Sequence, residues 1–144
     1  MRVMPYEKYK PANASWLNAL PEAWNQIRGR FVMSVNPPAS RARTLDDTAE
    51  VSFVPMEAVG EYGGLDLERT KPLYEIGSGY TAFEDGDVVI AKITPCFENG
   101  KGAIASGLNN GVGFGTTELH VLRTGKRRDK QFLFYLTISH TFRM

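Results

Sequence analysis

Cys96, His120 and Lys101 are the residues whose types could do covalent or phosphate chemistry. A cysteine acts as a nucleophile once a neighbouring base takes its proton. Cys96 is the one cysteine in the chain, and His120 is the histidine able to serve it. A lone thiol beside apolar Phe97 reads first as an inert, partly buried group. A small cysteine-dependent enzyme using Cys96 and His120 therefore stands as the alternative reading. Gly100-Lys101 invites comparison with a phosphate loop. That loop needs a glycine where Pro95 stands and a hydroxyl where Gly102 stands, so the motif fails. "GVGFG", 111 to 115, has the wrong spacing for a dinucleotide turn and precedes a strand. One cysteine and two histidines at no helical spacing make no metal cluster. Neither a metal nor a cofactor is expected. Asp85-Gly86-Asp87 reads as a turn that launches a strand.

The uncharged and cationic groups point elsewhere. Lys92, Thr94, Asn99 and Lys101 crowd one short segment, with Gly100 and Gly102 allowing close backbone approach. Thr116 and Thr117 form a second group, and Arg41 and Arg43 a third. Hydroxyl, amide, ammonium and backbone N–H are the groups that hold phosphate oxygens and read base edges. Lys126, Arg127, Arg128 and Lys130 sit just before a helix start, where the helix dipole disfavours cations. That placement asks for a reason other than helix stability, such as a phosphate contact.

The elements that must carry these groups are mostly strands. Residues 1–20 read as an extended arm held down by Tyr6, Tyr9 and Trp16. Trp24, Ile27 and Phe31 have helical spacing, but Gly29 interrupts it. "NPPASRARTLDDT", 36 to 48, reads as a loop, and "VSFVPMEAV" as a strand stopped at Pro55. "LDLERTKPLYEI" fits a strand or a short helix. Asp87 to Ile93 leaves little polar face and predicts a strand covered on both sides. "KGAIAS" predicts a second short strand, and "NNG", 109 to 111, a hairpin-type turn. In "TTELHVLR", Leu119 and Val121 share one face, and Glu118, His120 and Leu122 the other. Asp129 is placed to cap a buried helix over "KQFLFYLTIS". Strands followed by a helix imply an α+β, β-rich domain.

The 144 residues suit one domain, and the 42% hydrophobic, 23% charged composition is ordinary globular. No apolar run approaches the roughly 20 residues needed to cross a bilayer. With a single cysteine, no internal disulfide forms, and a cytoplasmic location is expected. The net charge of +1 leaves nucleic acid undecided on charge alone.

Taken together, "YEKYKPANASWLNALPEAW", "DGDVVIAKITPCFENGKGAIA" and "GFGTTELHVLR" resemble the specificity subunit of type I restriction–modification enzymes. The arm resembles that family's opening pattern, with Ala12-Asn13-Ala14-Ser15 and Asn18-Ala19 departing from it. The block at 85–105 is the specific part of the match. The resemblance implies an N-terminal arm over 1–20 and, over 21–144, part of a target-recognition domain. That part would stop before the coiled-coil spacer helix, because no heptad run is present. Such a domain reads one half of a split sequence in double-stranded DNA. Partner methyltransferase subunits methylate adenine, and motor-nuclease subunits complete the assembly; the specificity subunit itself is not catalytic. On this basis Arg41, Arg43, Lys92, Lys101 and Lys126 to Lys130 are expected to grip phosphate. Thr94, Asn99, Thr116 and Thr117 are expected to read bases. Four phosphate contacts would give a log affinity against log salt slope of about −3.6. Without a spacer helix, the apolar surface of the last helix would favour self-association, and an inert self-associating fragment is a further alternative.

Overall fold

The computed structural model describes residues 3–143. The chain divides into two compact units, Met1–Val32 and Met33–Met144, a division that falls beyond the end of the arm read in the sequence. The first unit is a hairpin. β1 (Tyr9–Ala14) pairs antiparallel with β2 (Leu17–Pro21), with Ala14 opposite Leu17 and a bulge between Pro11 and Ala14. The segment read as an extended arm is therefore folded on itself. Of the three aromatics expected to hold it down, Tyr6 and Tyr9 meet each other, whereas Trp16 is 53% exposed. Tyr6 lies edge-on to Tyr9 at 6.3 Å and to Trp24 at 5.7 Å.

The second unit holds the remaining strands: β3 (Met33–Val35), β4 (Glu50–Val54), β5 (Thr70–Pro72), β6 (Thr81–Glu84), β7 (Val88–Ala91), β8 (Gly102–Ile104), β9 (Val112–Gly115) and β10 (Leu119–Thr124). They form two four-stranded sheets, ordered β3-β10-β7-β8 and β5-β4-β9-β6. Every pairing is antiparallel except β4 with β9. The β-rich α+β class read from the sequence is borne out. Pro55 comes directly after β4, and the ambiguous 65–76 stretch is both things in turn, β5 and then a 3-10 turn over Leu73–Glu75.

β7 explains the core. All four of its residues are buried, and Val88, Val89 and Ile90 alternate between two apolar clusters as the period of two demands. Val89 joins Val54, Phe83, Ala103, Leu119 and Val121, which brings the two sheets together. Val88 and Ile90 point the other way, to Leu122 and Phe134 of α1 (Lys130–Ile138). The strand is covered on both faces. Leu122, placed by alternation with the polar residues of its strand, is in fact buried under that helix.

Close sheet packing depends on missing side chains in β9. A Cβ on Gly113 would meet the Phe83 ring at 2.6 Å, so only glycine lets that ring fill the space between sheets. "NNG" does supply the positive-φ backbone that its composition promised, at Asn110 and Gly111. It does not close a hairpin, because β8 and β9 belong to different sheets.

Asp129 caps α1 as expected, its Oδ1 accepting from Gln131 N at 2.8 Å and Phe132 N at 3.2 Å. The helix is buried on one side only. Phe132 and Tyr135 are more than half exposed, at 53% and 57%. The apolar residues surround the axis, but the sheet covers a single face. A short second helix, α2 (His140–Arg143), comes next. Among the described residues no helix is long and apolar enough to cross a membrane.

Candidate nucleic-acid interface

The residues singled out in the sequence gather at the two ends of the β7–β10 pair. β7 and β10 run antiparallel, Ala91 opposite Leu119 and Val88 opposite Leu122. One end therefore carries the loop after β7 and the connection into β10, with Lys92, Thr94, Asn99, Thr116 and Thr117. The other end carries the Asp85–Asp87 turn into β7 and the segment after β10, with Lys126 to Lys130. A six-residue strand rising about 3.3 Å per residue separates them by about 20 Å.

At the first end, Lys92 and Thr117 line an open cleft of about 320 Å³ with Asn36, Pro37, Tyr80 and Thr81. The cleft floor reaches Leu119. Backbone bonding fixes its rim, since Lys92 N donates to the Glu118 carbonyl at 2.9 Å. Thr116 Oγ1 accepts from Glu118 N, which shapes the short connection and leaves Thr117 exposed. Tyr80, 41% exposed, packs its ring edge-on to Phe53 at 5.5 Å, and Lys71 sets its ammonium 4.2 Å from the Phe53 ring centre. Tyr80 and Lys71 were missed by sequence reasoning. Only their nearness in space marks them, and "GSGY" reads simply as a turn.

The loop after β7 is built from its own backbone bonds. Phe97 N donates to the Ile93 carbonyl, Asn99 N to Pro95, and Lys101 N to Cys96. Within it Thr94 Oγ1 donates to Glu98 Oε1 at 2.9 Å, while Asn99 lies exposed. Lys101 is tied into the fold. Its ammonium donates to the Met56 carbonyl at 3.1 Å, so it is not presented outward as the sequence suggested. The fixing of the loop is a structural use of that lysine.

At the second end, a larger open cleft of about 540 Å³ is lined by Glu84, Asp85, Asp87, Arg123, Lys126, Arg128, Asp129 and Lys130. Its acids are engaged by the fold. Asp87 is 1% exposed; it accepts from Arg123 Nε at 2.7 Å, Arg123 Nη2 at 2.8 Å and Glu84 N at 2.8 Å. Glu84 accepts from Arg41 N, Asp85 from Leu108 N, and Asp129 caps α1. The hydrogen bond that Arg123 donates to Asp87, ahead of the charges of Asp87 and Glu84, raises the pKa of Arg123 against the opposing effect of its burial. Arg41 belongs to this end too, its side chain lying over Gly111, which has no Cβ to obstruct it. Arg43 is exposed on the same 3-10 turn, Ser40–Thr44. Among the described residues, Arg41, Arg43, Lys92, Lys126, Arg127, Arg128 and Lys130 are in no ion pair.

The covalent alternative is not assembled. Cys96 sits half-buried in the loop after β7, while the His120 imidazole faces the Asn36 amide at 3.5 Å. Among the described residues no hydrogen bond joins the thiol to the imidazole, and no group of three metal-binding side chains converges.

The fold places the chain in a class. It is shared with part of the HsdS subunit from Thermoanaerobacter tengcongensis, with a TM-score of 0.61 and 19% identity, covering 82% of this chain and 30% of that one. Sequence then narrows the match. Over 105 residues, 72% of this chain, it is 47% identical to the EcoEI type I restriction enzyme specificity subunit of Escherichia coli and 45% identical to the EcoAI one. The resemblance to type I specificity subunits is borne out over that segment. The chain spans 17% of the length of these two relatives. No protein-family model matches it.

Proposed function

We propose that the second unit is a DNA-recognition module of a type I restriction–modification system, reading one half of a bipartite target. In this reading the cleft of Lys92, Thr117, Tyr80 and Thr81, with Thr94, Asn99 and Thr116 beside it, meets base edges. Arg41, Arg43, Lys126, Arg127 and Arg128, with Lys130, meet phosphates. The module performs no catalysis itself and directs methyltransferase and motor-nuclease partner subunits to the site. The observation that carries the proposal is the division of labour along β7 and β10. Neutral donors and acceptors, with Lys92 the one cation named among them, occupy one end, and several unpaired cations surround internally satisfied acids at the other. A separation of about 20 Å corresponds to about six base pairs at 3.4 Å each, the scale of a half-site.

The test is selection of duplexes from a randomised pool by the 144-residue chain, followed by binding measured at several salt concentrations. The expected outcome is an enriched sequence, with log affinity falling against log salt at a slope of about −5 if all six cations meet phosphates. Recovery of no sequence, or binding indifferent to salt, defeats the proposal.

A further inference from the structure

The loop over residues 93–100 is clasped from two sides by groups outside it. On one side stands the turn at residues 60–64. Tyr62 N donates to the Gly100 carbonyl at 2.9 Å, and Gly102 N donates to the Gly60 carbonyl at 3.1 Å. The Tyr62 ring lies so close over Gly100, whose φ is +78°, that an added Cβ would meet it at 2.7 Å. On the other side stands α2. Arg143 Nη1 donates to the Phe97 carbonyl, and its guanidinium lies 4.9 Å from the Phe97 ring centre. Arg143 Nε donates to the Thr137 carbonyl at 2.6 Å, which anchors the clasp on α1. The Phe142 ring packs 6.4 Å from Phe97.

This arrangement is costly for packing alone. Arg143 Nη2 is buried and has no hydrogen-bond partner among the described residues. The guanidinium is partly buried against carbonyls, the Phe97 ring and the Tyr62 phenol, with no carboxylate among the described residues to offset the desolvation that lowers its pKa. A leucine or methionine would fill the same space without that cost. What the arginine adds is direction. It fixes the Phe97 carbonyl, and with it the orientation of a loop whose Thr94 and Asn99 face solvent.

We infer that Arg143 is a positioning residue for sequence discrimination, holding the 93–100 loop in the conformation that reads bases without itself touching DNA. The inference rests on the proposed DNA-recognition function. It separates two jobs, since a residue that shapes a reading loop should alter preference between sequences more than general affinity.

The experiment compares the 144-residue chain with Arg143→Ala, Arg143→Lys and Phe97→Leu on the selected duplex and a scrambled one. Arg143→Ala is expected to lose about tenfold on the selected duplex, the scale of one misread base pair, while changing less than about twofold on the scrambled one. Its salt slope stays unchanged, because no phosphate contact is lost. Arg143→Lys, keeping one donor, restores part of the discrimination. Phe97→Leu, keeping the carbonyl, retains most of it. Amide exchange at Cys96 to Lys101 accelerates about tenfold in Arg143→Ala, with thermal unfolding confirming that the rest of the chain is folded. Equal losses on both duplexes with a slope smaller by about 0.9 would make Arg143 a phosphate contact and overturn the inference. Unchanged discrimination and unchanged exchange would overturn it as well. Failure of the native chain to select any duplex would sink the DNA reading instead, and amide exchange would still decide whether Arg143 holds the loop.

Discussion

Replacing Asp87 by asparagine tests whether the turn beneath β7 is held by its buried ion pair. The carboxylate takes three N–H groups, two from Arg123 and one from the Glu84 backbone. Removing one partner of a buried pair typically costs about 3–5 kcal/mol. Two features reduce that figure here. The Arg123 side chain is 27% exposed, and Glu84 Oε2 lies 3.4 Å from Arg123 Nη2, ready to share its charge. Asparagine also keeps one oxygen acceptor. The expected loss is therefore about 2–3 kcal/mol, a large part of the roughly 5–15 kcal/mol that holds a domain together. Arg123 keeps its charge in the variant, because a guanidinium stays protonated at any working pH. In the native chain the pair's pH dependence lies far from neutrality. The folded pKa of Arg123 is raised, so its contribution is complete below the unfolded value and fades only at extreme alkaline pH. In urea, with a slope of about 1.5–2 kcal/mol per molar, the midpoint should fall by about 1–2 M with the slope unchanged. A cycle with Arg123→Gln should return a coupling of about 1.5–3 kcal/mol. A midpoint loss worth less than about 0.5 kcal/mol, or additive single effects, would refute the assignment.

The remaining predictions concern packing and the interface. Gly113→Ala forces a methyl into the Phe83 ring and should cost about 1–3 kcal/mol by urea unfolding, since the ring is fully buried between the sheets. Lys126→Ala combined with Arg128→Ala should flatten the salt slope of duplex binding by about 1.8, the value of two phosphate contacts, with little change in sequence preference. Thr117→Val should do the reverse, costing about 1–3 kcal/mol on the selected duplex and leaving the salt slope intact.

The elements readable from the sequence are those where a local signal and the tertiary environment agree. β7 is an unbroken apolar run, and the structure covers both its faces. Asp129 precedes a strong helical segment, and its carboxylate caps that segment. The failures have a common physical cause, which is that sequence shows periodicity but not partners. Leu122 alternates with buried residues, yet it too is buried, since α1 lies on the far face of the sheet. The hairpin of β1 and β2 turns at Ser15-Trp16 with neither Gly nor Asn to announce it. Conversely "NNG" announces a hairpin, and the chain uses its left-handed backbone to pass from one sheet to the other. For the site, the types were legible and the grouping was not. Lys92 and Lys101 are near neighbours in sequence, but only one is free, because the ammonium of Lys101 is bound to a carbonyl 45 residues away.

The same distinction between types and partners bears on the near-neutral charge, which by itself leaves a polyanionic ligand undecided. The formal balance of +1 weighs every ionised group equally. The fold does not. Asp87 is buried against Arg123, Asp85 receives the Leu108 N–H, and Asp129 receives two helix N–H groups. Asp46 is bonded to the Thr48 N–H and hydroxyl, in that order of effect on its lowered pKa, and Glu98 to the Thr94 hydroxyl. Each of these carboxylates has N–H or O–H dipoles directed at it, which offset its field at short range. The cations at the ends of β7 and β10 have no such opposition among the described residues. Over a Debye length of about 8 Å, a phosphate approaching the 126–130 turn responds to those few ammonium and guanidinium groups rather than to the whole-chain sum. On this reasoning a near-neutral chain is compatible with the proposed phosphate contacts, because the acids lining the cleft at the 126–130 turn are bonded within the fold.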